Sequence, residues 1–319
     1  MALLAVAVLM ALALHAAVRA PSPQRLVLYL GHRTETSDAG YKHFAALFEK
    51  LRPQQFSTIR LAYVTLPDDW TESVNAVSLA LQDQPVLIVT PSAGSTKVAR
   101  HAAGPVPIVF ASYTDPVSSG LVDSLQLRAD RMTGIDLSDT LDGKRFEILR
   151  EAYPKVRTVA VLADAEWASD VRAAERIQAA TGAFGLKATL LVADSSEELV
   201  ELFKRTPTAQ YDAWYVPATY LEDKTRAIIL AEMQRIRKPC IYTETDDVEA
   251  GGLLSYTQDT TFVWPALVDL SARVLDGARP GAIPIVRPQR FELAVRINAD
   301  TGVSAPAGSI VRRADFVIK

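Results

Sequence analysis

The chain has 319 residues, 49% of them apolar and 22% charged, with a formal net charge of −3. That length is at the upper limit for one hydrophobic core and favours two lobes, while the composition excludes a largely disordered chain. No basic cluster stands out from the near-neutral balance, which argues against a nucleic-acid partner.

Residues 3–14 form a nearly pure Leu/Val/Ala/Met run, followed by Val18-Arg19-Ala20 and then Pro21. The run is too short to span a bilayer comfortably. It reads as the apolar region of a secretory signal peptide over residues 1–20, with a small-residue cleavage site, so a periplasmic location is expected. No Lys or Arg precedes the run; the alternative reading is a short membrane anchor that stays attached. No cysteine lies near Ala20, so a lipid-anchored form is not indicated. An exported chain whose single cysteine is Cys240 has no internal disulfide. In the apolar run Pro239-Cys240-Ile241-Tyr242 that cysteine reads as a small buried hydrophobe.

From Gln24 onward, strand-like and helix-like segments alternate. Residues 25–30 predict a strand and 41–51 a helix, with Tyr41, Phe44, Ala45, Phe48 and Leu51 on one face. Strands follow at 59–65, at 86–90 and from Ile108, with a helix over 72–81. After Gly134 the pattern restarts: helix 142–153, strand 158–162, helix 169–181, strand 187–192, helix 196–204, strand 213–216, helix 223–236 and strand 240–243. Asp194 before Ser195-Ser196-Glu197-Glu198 marks a helix start with acids in the first turn. A last strand is predicted over 291–297. This alternation predicts an α/β fold of two similar, doubly wound lobes with mostly parallel sheets. With no long Gly/Ser linker, short crossovers are expected near Thr133-Gly134-Ile135 and Leu254-Ser255-Tyr256, and the tail 281–319 could form a third. The N-terminal lobe would be 24–133 plus about 257–284, the C-terminal lobe 136–254 plus about 288–319.

Several predicted strands stop abruptly at polar residues, as buried parallel strands do at the carboxyl edge of an α/β sheet, where ligands bind. After the strand at 86–90, Ser92, Ser95 and Thr96 open a helix; their hydroxyls and the free N–H groups suit a carboxylate or another polar group, with plain N-capping by Ser92 as the alternative. Tyr113 and Thr114 end the next strand, and Asp115 before Pro116 fixes a turn or faces the ligand. In the second series, Asp164 and Glu166 could pair with a ligand cation and Trp167 could supply a flat wall. The alternative is that the acids cap the next helix and Trp167 covers the lobe's edge. Thr219 and Tyr220 stand at the end of a neighbouring strand, and Glu244 at the next; the run Glu244-Thr245-Asp246-Asp247 otherwise reads as a solvated loop.

Chemistry on the ligand finds no support. His32, His43 and His101 show no metal-binding spacing, and the chain lacks G-x-S-x-G, G-x-x-x-x-G-K and G-x-G-x-x-G. No catalytic residue, metal or cofactor is expected.

Thr90-Pro91-Ser92-Ala93, Pro107-Ile108-Val109-Phe110 with Asp115-Pro116-Val117 and Gly120-Leu121-Val122, and Thr133-Gly134-Ile135 resemble the ABC-transporter substrate-binding proteins related to the tryptophan- and phenylalanine-binding members. Ala250-Gly251-Gly252-Leu253-Leu254-Ser255-Tyr256 and Phe291-Glu292-Leu293-Ala294-Val295-Arg296-Ile297-Asn298 resemble that family's C-terminal blocks, in the same order. The resemblance implies a type I periplasmic binding protein fold: two lobes, three crossovers, and a ligand enclosed by hinge closure. It also implies a role as the solute-binding component of an ABC importer, monomeric, taking an amino-acid-like or aromatic small molecule to a membrane permease. The alternative is a periplasmic sensor that presents its bound form to a membrane receptor or kinase. The chain departs from the family pattern at residues 31–37, at Asp164-Ala165-Glu166-Trp167 and at Thr219-Tyr220, so the resemblance does not name the ligand.

Overall fold

The computed structural model describes residues 24–122, 131–169, 171–217, 220–297 and 302–319, with the side chains of 220–224 outside that description. The chain divides into two compact units. The first takes the chain up to Ser138 and again over residues 261–287; the second takes residues 139–260 and 288–319.

The first unit holds β1 (Arg25–Gly31), α1 (Ala39–Leu51), α2 (Pro53–Phe56), β2 (Ile59–Thr65), α3 (Trp70–Ala80), β3 (Leu87–Thr90), α4 (Ala93–Ala102), β4 (Ile108–Ser112) and β5 (Met132–Asp136). Its five strands are all parallel, in the order β2-β1-β3-β4-β5. Alternation along β1 explains why both faces are covered. Leu26, Leu28 and Leu30 enter one core with Val77 of α3 and Val98 of α4, whereas Val27 and Tyr29 enter another with Phe44 and Phe48 of α1. Asp38 caps α1 by accepting from the Tyr41 N–H, and Asp69 caps α3 by accepting from the Glu72 N–H.

The second unit holds α5 (Asp142–Ala152), β6 (Thr158–Ala163), α6 (Ala165–Ser169), α7 (Val171–Phe184), β7 (Lys187–Val192), α8 (Ser196–Arg205), β8 (Ala213–Tyr215), α9 (Tyr220–Ile236), β9 (Cys240–Tyr242), α10 (Thr245–Glu249) and β10 (Leu254–Gln258). Alternation recurs in β6: Val159 and Val161 face a core with Phe146 and Leu149 of α5, and Ala160 and Leu162 face one with Leu199 and Phe203 of α8. The helix α8 begins at Ser196, as predicted, but its cap is Ser195, one residue beyond Asp194, and Glu198 reaches back to the Asp194 N–H.

The chain then returns to both units. Helix α11 (Val263–Leu275) joins the first, where Leu267 and Val268 share the core of Phe44 and Phe48. Strand β11 (Phe291–Arg296), helix α12 (Gly308–Arg313) and strand β12 (Phe316–Ile318) join the second. Its seven-stranded sheet runs β12-β11-β10-β9-β8-β6-β7, with β10 and β11 as the antiparallel pair. Cys240 forms no disulfide and is buried in β9.

Two segments expected as crossovers are strands. Thr133-Gly134-Ile135 is the middle of β5, and Leu254-Ser255-Tyr256 begins β10. The glycine has a packing reason: a Cβ at Gly134 would overlap the carbonyl oxygen and ring of Phe110 in β4. Among the described residues no helix is long and apolar enough to cross a membrane.

Candidate functional site

In the first unit, parallel strands deliver Thr90, Ser112 and Asp136 to one sheet edge. Beyond Thr90, Ser92 is the N-cap of α4. Its Oγ accepts from the Ser95 N–H (3.2 Å) and lies 2.9 Å from the Ser95 hydroxyl. The Ser95 and Thr96 hydroxyls both donate to the Ser92 carbonyl, at 3.1 and 2.6 Å, and Thr90 Oγ1 stands 2.8 Å from Thr96 Oγ1. Ser95 and Thr96 are fully buried. Each of those two hydroxyl protons is used on a carbonyl, so Ser92 and Thr90 donate to Ser95 and Thr96. What the cluster leaves for an anion is therefore the first-turn N–H groups of Ala93 and Gly94, which have no acceptor inside a helix. The capping role is present, and the three hydroxyls shape the turn.

Tyr113 and Thr114 follow β4 and are exposed, Tyr113 by 63%. The Ser112 hydroxyl donates to the Thr114 carbonyl (2.6 Å), and Asp115 accepts from the N–H groups of Val117 and Ser118, which is the turn-fixing role. At the end of β5, buried Asp136 accepts from the Ser138 N–H and hydroxyl and from Arg287.

In the second unit, Asp164 is buried at the end of β6 and accepts from the Trp167 N–H at 2.8 Å, capping α6. Asp194 accepts from the Ala165 N–H at 2.7 Å. Glu166 is exposed, and Trp167 is half-buried against the core that holds Phe146 and Val161. The capping and covering readings of Asp164 and Trp167 thus have direct contacts behind them. Thr219 lies outside the described residues; Tyr220 opens α9, and its side chain lies outside them too.

Glu244 sits beyond β9 at the cap position of α10 and makes no capping bond. Its carboxyl pKa is pushed up, first by withdrawal from water and then by the Asp247 charge and that of Asp139, against the pull of Arg145 and Arg226. The run from Glu244 to Asp247 is solvated only in part: Glu244 and Asp246 are exposed. Thr245–Glu249 is a short helix, and Asp247 is fully buried and paired with Arg226 at 2.9 Å.

Sequence reasoning did not find the polar centre of this edge. Arg145, 1% exposed, donates through Nη1 to Asp139 (2.9 Å) and Tyr215 (3.3 Å) and through Nε to the Tyr256 carbonyl (2.8 Å). Tyr215 donates to Asp142 Oδ1 at 2.5 Å, and Arg176 holds Asp142 Oδ2 at 2.6 Å. Burial pulls the Arg145 pKa down, but Tyr215, Asp139 and Asp142 more than offset it, so the guanidinium stays charged. Burial foremost holds the Tyr215 phenol far above its usual range, so it remains a donor. The one available signal was the spacing Asp139, Asp142, Arg145 across the start of a predicted helix, which places all three on one side.

This edge can hold a cation beside Glu244, and the first unit's edge can hold an anion at the α4 N-terminus. Among the described residues no group of His, Cys, Asp and Glu is arranged to hold a metal.

A family model described as ABC transporter substrate binding protein matches residues 66–304. The chain is 24% identical over 267 residues to a tyrosine-binding protein of Clostridioides difficile strain R20291, covering 83% of this chain and 75% of that protein. Its fold is similar to an ABC domain from Streptococcus pneumonia solved with L-Trp (TM-score 0.71, 20% identity, 93% of this chain and 100% of that one). It is equally similar to the ligand-free, open structure of a substrate-binding protein with adhesive properties from Clostridium difficile (TM-score 0.71, 20% identity, 93% and 99%). These likenesses give a type I periplasmic binding protein fold. With three quarters of its length matched by the family model, the chain belongs to the ABC transporter substrate-binding proteins.

Proposed function

We propose that this protein is the periplasmic solute-binding component of an ABC importer, taking up a small zwitterion of the amino-acid class and handing it unchanged to a membrane permease. The observation that carries the reading is the unlike chemistry of the two sheet edges. One offers N–H donors at the start of α4, and the other a carboxylate, Glu244, with no side-chain capping bond. A carboxylate suits the first and an ammonium the second. The tyrosine-binding relative and the neighbour solved with L-Trp support an aromatic amino acid as the first ligand to try. Capture is by hinge closure, because a ligand that binds the closed form better draws the equilibrium toward it. Export follows from the apolar run at residues 3–14 and the small residues up to Ala20.

Calorimetric titration with L-tyrosine, L-tryptophan, L-phenylalanine and L-leucine tests the ligand class, each beside its N-acetyl and its amide derivative. A free amino acid is expected to bind, and either blocked form to lose about tenfold or more, the scale of one charge-assisted hydrogen bond. A tight ligand lacking both charged groups, found by mass spectrometry of the purified protein, would overturn the reading.

A further inference from the structure

The sheet of the second unit ends on β7, and among the described residues no strand pairs with its outer side. Its pairing with β6 runs unbroken from Lys187 opposite Thr158 to Val192 opposite Ala163. The Lys187 N–H donates to the Arg157 carbonyl and the Ala193 N–H to the Ala163 carbonyl. Residues 187, 189, 191 and 193 therefore turn their backbone groups toward β6. By alternation, the N–H and C=O of Ala188, Leu190 and Val192 face outward.

Natural sheets guard such an edge with a proline, a bulge or a charge along the strand. Strand β7 has no proline and no bulge, its one charge, Lys187, stands at its start, and Leu190 and Val192 are 42% and 37% exposed. The other edges differ. Strand β2 of the first sheet carries none of the exposed large apolar side chains, and its Arg60 is paired with Asp83. Strand β12 has only three residues.

A second copy of β7 fits this edge. The three outward residues lie symmetrically about Leu190, so a twofold axis there sets Leu190 opposite itself and Ala188 opposite Val192. Each such antiparallel pair exchanges two backbone hydrogen bonds, and any other register matches fewer outward residues. The side chains agree. Ala188 packs on the core of Phe146 and Val161, so Leu190 and Val192 share that face of the sheet, and the pairing sets apolar against apolar. Charge selects the same direction. Lys187 leads the strand, whereas exposed Asp194, Glu197 and Glu198 follow it. Antiparallel strands bring each lysine to the other copy's acidic turn; parallel strands would set like charges together.

We propose that β7 is a homodimer interface, in which two copies of this chain pair their β7 strands antiparallel about Leu190. This replaces the monomer that the family resemblance implies, and it does not rest on the ligand reading above. Six strand residues a side make a small contact, so the dimer is of the weak, transient class.

Sedimentation equilibrium of the purified protein without ligand, from about 1 to 500 μM, covers the affinities of such contacts. The mass is expected to double toward the upper end. Leu190→Lys sets two ammonium groups face to face and should hold the mass single throughout, with an unchanged melting temperature because that side chain is exposed. Cysteine substitutions read the register, with the parent as control because its single cysteine, Cys240, is buried. Leu190→Cys is expected to link the copies under mild oxidation, since a hydrogen-bonded pair holds its Cα atoms about 5.5 Å apart. Thr189→Cys should not, because Thr189 pairs with Leu191 and its two copies stand about 8 Å apart, beyond disulfide reach. A single mass at every concentration overturns the proposal and leaves the edge to another partner or to none. A dimer that survives Leu190→Lys, or equal linking at 189 and 190, places the interface elsewhere and overturns it too.

Discussion

Glu244 and Arg145 face each other electrostatically at one sheet edge with opposite fates. Arg145 donates to Asp139, Tyr215 and the Tyr256 carbonyl, whereas Glu244 carries a raised pKa caused first by desolvation and next by Asp247. A carboxyl whose folded pKa is raised favours the folded state most when protonated. That contribution is complete below the ordinary value of 4.5 and is lost as pH rises through the folded pKa. Glu244→Gln should therefore melt higher than the parent at pH 7 without ligand, with the difference closing on acidification; melting curves from pH 4 to 8 check this. With an amino acid present the proposed pairing of the ionised carboxylate with an ammonium predicts the reverse order. For the buried network, Tyr215→Phe removes the donor to Asp142 Oδ1 and should cost about 1.5–3 kcal/mol. Arg145→Met strands Asp139 and the Tyr256 carbonyl and should cost about 3–5 kcal/mol, near the measured range for breaking a buried pair. Urea unfolding monitored by fluorescence reads both. An Arg145→Met variant as stable as the parent would show that the guanidinium is dispensable to the fold.

At the scale of the element, Gly134 sets how closely β5 approaches β4. Gly134→Ala should force β4 and β5 apart at Phe110 and destabilise the protein by roughly 1–3 kcal/mol, as overpacking does. Ser92→Ala should cost about 1 kcal/mol through the lost α4 cap. A smaller loss would mean that Thr90 and Thr96 hold the turn without it. The sequence made the alternating elements legible wherever apolar runs of strand length met amphipathic helices, as from β1 to β4 and from β6 to β9. It misled where a residue had two meanings. Gly134 reads as a breaker but allows close approach of two strands. The site divided in the same way. Strand ends are visible as apolar-to-polar steps, so Ser92, Asp164 and Glu244 could be placed at the sheet edges. Arg145 was missed: its spacing from Asp139 and Asp142 puts the two acids on its side of the helix start, but that spacing does not announce that folding will bury it with them and a tyrosine.

For the whole molecule, the proposed capture by closure predicts a smaller radius of gyration with ligand than without, measured by solution scattering. The same value in both states, with a tight ligand present, would indicate a preformed pocket. Export predicts that protein recovered from the periplasm begins at Pro21 or within a few residues of it. N-terminal sequencing decides this, and an intact Met1 in the cytoplasm would remove the periplasmic assignment.

Helix α11 also sets a timetable. Val27, Tyr29, Val89 and Val109 of the first sheet share their core with Leu267 and Val268, which lie more than 150 residues further along the chain. At ribosomal speeds of about 5–20 residues per second, that sheet face waits roughly 10–35 s after β4 for its cover. During that interval the nascent first unit cannot complete its fold and stays sticky, slow and threadable. A polypeptide that must cross a membrane unfolded benefits from such a delay. Moving the α11 sequence to the front of the chain by circular permutation should let the first unit close early and, by the same logic, impair secretion.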